Sequence, residues 1–143
     1  MPMQSDTLPS GTRARGREHV HPALAAAHAR FHVPSAFEVD GWVYLTGVIA
    51  ARAPDDAQDD LEPAFERAFT QIAEVLALAG CNWGDVVKIT SHHLDIGAEI
   101  GAMAKVKDRH VAAPYPAWSV IGAGSLANPT GVCEIEVIAR KAQ

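Results

Sequence analysis

The run VCEIEVIARK (132–141) carries Glu134 and Glu136 two residues apart, so strand alternation puts both carboxylates on one side. A carboxylate in a cleft can orient or deprotonate a water when its surroundings bring its pKa toward neutrality. A solvated strand face accounts for the same spacing, and alternation alone does not separate the two. Ser91, His92, His93 and Asp95 have the residue types of a nucleophilic triad. Alternation turns Ser91 and His93 one way and His92 the other, which favours ordinary polar residues near a strand end. His19, His21, His28 and His32 have no carboxylate or thiolate at ligand spacing, so no metal site is expected. GAGS (122–125) begins like a dinucleotide fingerprint but lacks the third glycine and runs into Asn128-Pro129 instead of a helix. It does not match GxSxG either, although its backbone N–H groups could hold an anion. In PYPAWSVIG (114–122), Trp118 stands at the mouth of an apolar run, either as core filler or as the wall of a ligand site.

The elements that must position these residues are legible from periodicity. FEVDGWVYLTG (37–47) predicts a β-hairpin, because Asp40-Gly41 suits a turn whose two central residues have positive φ. Residues 51–60 form a polar loop. Leu61, Phe65, Ala68, Ile72, Val75 and Ala79 recur at helical spacing and predict a helix over 61–79, opened by Asp59 and Asp60 and stopped by Gly80. VVKITSHHL (86–94) predicts a strand. A second helix is expected over 97–109 with Ile100, Met103 and Val106 or Lys107 inward, followed by strands at WSVIG (118–122) and at 132–141. ALAAAHARF (23–31) suits either a short helix or an extended lead-in, bracketed by Pro22 and Pro34. The expected fold is α+β: a mixed sheet with two helices on one face and some parallel pairing across the long helix. Two helices leave the other face bare. Val132 and Ile138 share that face with the two glutamates, so an oligomer is expected to cover it.

With 143 residues the chain fits a single domain, 21–143, behind a polar tail at 1–20. A formal net charge of −5 without a basic stripe disfavours a nucleic-acid surface. No apolar run approaches the roughly 20 residues that span a bilayer, and the N-terminus lacks the apolar region of a secretory signal. A cytoplasmic location is the expectation, with Cys81 and Cys133 as buried thiols and not a disulfide.

Several stretches, in order and at matching spacing, resemble the RidA/YjgF family, also called the endoribonuclease L-PSP family. They are WVYLTG (42–47), FERAFTQIAEVLALAGCNWGDVVKIT (65–90), PAWS (116–119), SL..P (125–129) and EIEVIA (134–139). The resemblance spans about residues 33–142 and is nearest to a YjgH-like subgroup. It implies a chorismate-mutase-like fold and a homotrimer with small-molecule ligands in clefts between subunits. The family chemistry it implies is hydrolysis of reactive imines and enamines, giving a keto acid and ammonia, with no metal or organic cofactor. The resemblance assigns water placement to Glu134, and ligand contacts to Ser119 and Thr46. His92 stands where the family tends to have an aromatic, and Tyr115 would line the entrance.

The family's carboxylate-gripping arginine is replaced here by Trp118, and its cleft tyrosine is absent near Val33. Losing a charge-assisted hydrogen bond costs about 1.5–3 kcal/mol. An indole has one donor and no charge, but can stack on a planar ligand or hold a cation. The expectation is therefore a deaminase-like hydrolase of altered specificity, with Trp118 as a stacking wall. Its alternative is a non-catalytic trimeric binding protein using the same cleft. The ribonuclease activity in the family's older name is disfavoured by the acidic charge balance.

Overall fold

The computed structural model describes residues 15–143. Its elements, in chain order, are β1 (Arg17–His19), α1 (Ala25–Phe31), β2 (Ala36–Val39), β3 (Trp42–Leu45), β4 (Val48–Ala51), α2 (Glu62–Leu78), β5 (Val86–His93), α3 (Ile96–His110), β6 (Ala117–Gly122) and β7 (Gly131–Arg140). The apolar stripe expected over 61–79 becomes α2, which buries Phe65, Ala68, Phe69, Ile72, Val75 and Leu76. Full burial of such side chains contributes about 1.5–3 kcal/mol each for the larger ones. The Asp60 carboxylate accepts from the Glu62 N–H at 3.0 Å, and Gly80 takes φ +77° just past the helix end.

All seven strands join one sheet, in which β7 is the organising strand. It pairs antiparallel with β3 and β4 on one side and with β5 on the other. Parallel pairing was expected across the long helix and is found instead between β5 and β6, across α3. It does not occur across α2, because β7 is inserted between β5 and the strands that precede α2. Burial alternates along β7: Cys133, Ile135, Val137 and Ala139 point into the core under α2 and α3, and Glu134 and Glu136 point to the opposite, open face.

The hairpin forms as expected. Asp40 and Gly41 have φ of 52° and 80°, so both turn residues lie in the left-handed region. A Cβ on Gly41 would run into the Arg140 guanidinium, which lies over the Trp42 ring at 5.3 Å. Gly41→Ala should therefore cost at least about 1 kcal/mol, read as a lower denaturant midpoint at unchanged slope. A midpoint equal to that of the parent would show that the turn tolerates the side chain.

Further features differ from expectation, among them the strand β4 at Val48–Ala51, where none was expected. Residues 17–19, placed within the tail, form the edge strand β1 against β2. Its outward polar side chains carry no apolar alternation that could announce a strand. The segment 23–31 contains a real helix, α1, so the helices number three and not two. On α3, Met103 and Val106 are inward as expected, but Ile100 is exposed and Glu99 is buried in its stead. Residues 1–14 of the expected tail lie outside the described residues.

Candidate functional site

Strands β3 and β4 both lie along β7, but their registers do not match. Tyr44 is opposite Ile138, whereas Val48 is opposite Ile135, so the chain breaks step at Thr46-Gly47. The break places Gly47 against Glu134. A Cβ on Gly47 would lie 2.8 Å from the Glu134 carboxyl carbon, so a larger residue there would push the carboxylate from its place. The Glu134 side chain makes no hydrogen bond or ion pair among the described residues, and is half-buried. It is thus held by packing, with both oxygens free to accept from water or a ligand.

On its far side, Gly47 lines a cavity of about 280 Å³, together with Thr46, Val48, Val33, Leu24 and Gln71. Thr46 donates its hydroxyl to the Pro34 carbonyl at 2.7 Å, tying this wall to the segment after α1. His21, which precedes α1, lies 2.7 Å from Glu74 on α2. His19 and His28 are likewise paired with carboxylates, Glu38 and Glu18, at 2.8 and 3.0 Å. With Lys141 also beside it, Glu38 is held down to about 2, chiefly by the His19 hydrogen bond.

The open face of the sheet carries a polar row beside Glu134. His92 is opposite Glu134 across β5 and β7, and its Nε2 lies 2.9 Å from Glu136. Ser119 is next to Thr90 on the same face and accepts from Lys88 Nζ at 2.6 Å. Ile121 and, further along, Tyr44, Trp42 and Ile138 add exposed or half-buried apolar surface. Glu134, His92 and Ser119 are therefore brought to one face.

Trp118 is not among them. It is opposite Ile89 in β5, so its indole points to the helix layer, away from Glu134. Its Nε1–H donates to Ser91 Oγ at 2.8 Å. Ser91 Oγ is also 2.8 Å from His93 Nε2, and His93 Nδ1 is 3.0 Å from Glu99. Ser91 and His93 do share a face, as alternation predicts, and the third member of the chain is Glu99, not Asp95. All three are buried, so no substrate reaches the Ser91 hydroxyl. Burial pushes Glu99 up to about 7 and pushes His93 down, aided by His92. With Glu99 protonated, its O–H donates to Nδ1, and Nε2–H donates to Ser91 Oγ. Both lone pairs of that oxygen are then filled, the other by Trp118. Neighbouring Cys133 is driven up to about 12, mainly by burial, and Cys81 is also a buried free thiol.

Tyr115 lies beyond the helix-side edge, 68% exposed, with Lys107 Nζ 5.6 Å from its ring centre. Gly47, Lys88, Glu99 and Lys107 are the positions the sequence pattern did not single out as site residues. Lys107 had a signal, since it lies on the inward stripe of α3. Glu99 follows Asp95 by one helical turn, and its carboxylate accepts from the Asp95 N–H at 3.2 Å.

Comparison with known proteins agrees with this architecture. The family profile of endoribonuclease L-PSP matches residues 21–141. The RutC family protein YjgH of Escherichia coli strain K12 is 29% identical over 114 residues, covering 79% of this chain and 86% of that protein. Rv2704 of Mycobacterium tuberculosis, described as a member of the YjgF/YER057c/UK114 family, superposes with a TM-score of 0.74 at 19% identity. That match covers 88% of this chain and 99% of the other. A crystal structure of RidA from an Antarctic Psychrobacter species superposes at 0.67 with 24% identity, covering 76% and 88%. At such identities the structures speak for the fold alone. With its profile match running nearly end to end, the chain belongs to the endoribonuclease L-PSP family, the RidA/YjgF proteins, and has their mixed α+β fold.

Proposed function

We propose that this protein hydrolyses a reactive imine, enamine or related planar small molecule, with Glu134 placing the attacking water. The observation that carries this reading is the state of that side chain. It is half-buried, seated against Gly47 where a Cβ would displace it, and has no partner among the described residues. A structural carboxylate would be expected to hold an ion pair or a hydrogen bond, as Glu136 does with His92. Ser119, Thr46 and His92 supply polar contacts in this reading, and Tyr115 and Trp118 supply aromatic surface. Neither a metal nor an organic cofactor takes part, and no nucleic acid or membrane is a partner.

Trp118 and Glu134 point to opposite faces of one protomer's sheet, so a cleft using both must draw them from neighbouring copies. A homotrimer is part of the proposal for that reason, and the exposed Trp42, Tyr44 and Ile121 support it. Sedimentation equilibrium should give a mass near three times 15.2 kDa at micromolar protein. A monomer at that concentration would exclude a shared cleft. The catalytic test is ammonia release from imines generated in situ by amino-acid oxidases acting on acidic, neutral and aromatic amino acids. Faster release with the protein present is the expected result. No acceleration for any of them would favour the non-catalytic binding protein, a reading to which the committed N–H of Trp118 also lends support.

A further inference from the structure

Ser91, His93 and Glu99 form a continuous hydrogen-bonded chain with 0%, 0% and 3% of their surfaces exposed. It runs from the first turn of α3 across β5, and the Trp118 N–H is its last donor. The neutral state of this chain has a defect. With the proton on Glu99, Ser91 Oγ accepts from both His93 and Trp118, and its own O–H finds no acceptor among the described residues. An unpaired buried hydroxyl is unfavourable.

Loss of one proton removes the defect. The Glu99 proton passes to His93 Nδ1, the Nε2 proton is the one released to solvent, and the Ser91 O–H turns to donate to Nε2. Glu99 then accepts from Nδ1–H and from the Asp95 N–H, and Ser91 Oγ accepts from Trp118 alone. Every polar hydrogen of the chain is paired, but a negative charge is buried. One state is neutral with an orphan hydrogen, and the other is fully paired and charged. Hydrogen bonding and desolvation therefore favour opposite states.

The surroundings add few charges. From α2 the chain meets the Phe65 ring, 6.5 Å from that of His93. From β7 it meets Cys133, whose Sγ is 3.7 Å from Nε2 and whose thiol burial pushes up to about 12. The Asp95 charge raises the Glu99 carboxyl, Arg52 beyond β4 lowers it, and His92 on the other face of β5 lowers His93. Lys107 of α3 stands at the far end, with Nζ 5.1 Å from the centre of the Trp118 ring.

We propose that Glu99, His93 and Ser91 form a two-state proton switch that sets how firmly Trp118 is held. In the protonated state Ser91 is an acceptor shared by two donors. In the deprotonated state it donates to His93, and a donating hydroxyl is polarised into a stronger acceptor for the indole N–H. The three are positioning residues, acting on Trp118 through hydrogen bonds and not on a substrate. The switch operates without turnover, so it holds or fails independently of the hydrolytic reading.

The test is nuclear magnetic resonance of the full chain with 15N-labelled tryptophan and histidine, the Trp118 signal being assigned with Trp118→Phe. The titration spans about pH 5 to 9, centred on the value near 7 to which burial raises Glu99. The Trp118 indole proton should move downfield in one step as pH rises. In the same step His93 should change from the Nε2–H to the Nδ1–H tautomer. In Glu99→Gln the Asp95 N–H takes the amide carbonyl, so the amide N–H faces Nδ1. That variant should keep the Nε2–H tautomer and flatten the Trp118 titration. A Trp118 signal that stays still in the parent, or one His93 tautomer at both ends of the range, would overturn the switch without need of any variant. An undiminished titration in folded Glu99→Gln would overturn it as well, by placing the responsible proton elsewhere.

Discussion

Glu134→Gln should lower ammonia release from the best in-situ imine at least about a hundredfold, the scale of a lost general acid–base group. The change belongs mainly in kcat, because glutamine preserves the shape that packs against Gly47 and can still accept a hydrogen bond from water. It cannot take a proton. The unfolding midpoint should hardly move, since the Glu134 side chain makes no hydrogen bond or ion pair among the described residues. Glu136→Gln is the matched control. That side chain is 52% exposed and bonded to His92, a contact that glutamine can maintain, so its effect should be small. If Glu134→Gln retains turnover and Glu136→Gln loses it, the wrong carboxylate has been assigned. If both retain turnover, neither acts on the water.

Glu99→Gln should change the pH dependence of stability more than any single surface substitution. Burial raises this carboxyl from 4.5 to about 7, so the folded protein keeps a proton that the unfolded chain releases. The sign follows: stability is greatest below pH 4.5, falls as pH rises through 7, and is flat above. The full loss is roughly 3 kcal/mol at 1.36 kcal/mol per pKa unit. The groups that face Glu99 act in both directions. The Asp95 charge raises its pKa, whereas the Asp95 N–H and the more distant Arg52 lower it. His93, pushed down by burial, acts the opposite way, favouring the unfolded chain as the pH falls below its ordinary value of 6.5. Glutamine supplies an N–H to His93 Nδ1 and a carbonyl to the Asp95 N–H without an ionisation to suppress. Relative to the parent, the variant should therefore gain stability progressively between pH 4.5 and about 7 and hold that gain above it. Urea titrations across that range measure it. A constant difference between the two proteins at every pH would show that Glu99 is already ionised in the fold.

The two expectations rest on different kinds of information. That Glu134 and Glu136 share a face was legible because a strand has period two, and the choice of Glu134 between them came from the family resemblance. The hairpin was legible because Asp40-Gly41 is a local signal, and α2 because its apolar stripe repeats over several turns. β1 was not, since an edge strand with polar side chains on both sides has no hydrophobic period. β4 was missed for a related reason: Val48–Ala51 is short, and its register depends on β7, far away in sequence.

The Ser91–His93–Glu99 chain shows the same division. Alternation correctly put Ser91 and His93 together, but Asp95 looked like their partner because it was nearer in sequence. Asp95 instead caps α3, accepting from the Ala98 N–H at 3.2 Å, and that cap turns Glu99 inward. Sequence by itself determined the family, the order of the main elements and which glutamate merits a test, because these follow from local periodicity and ordered motifs. Tertiary structure decided that Gly47 leaves room for the Glu134 carboxylate, that the Trp118 N–H is already spent, and that the cation beside its ring is Lys107. Those outcomes depend on side chains meeting across strands and helices, where each polar group takes the partner that burial leaves within reach.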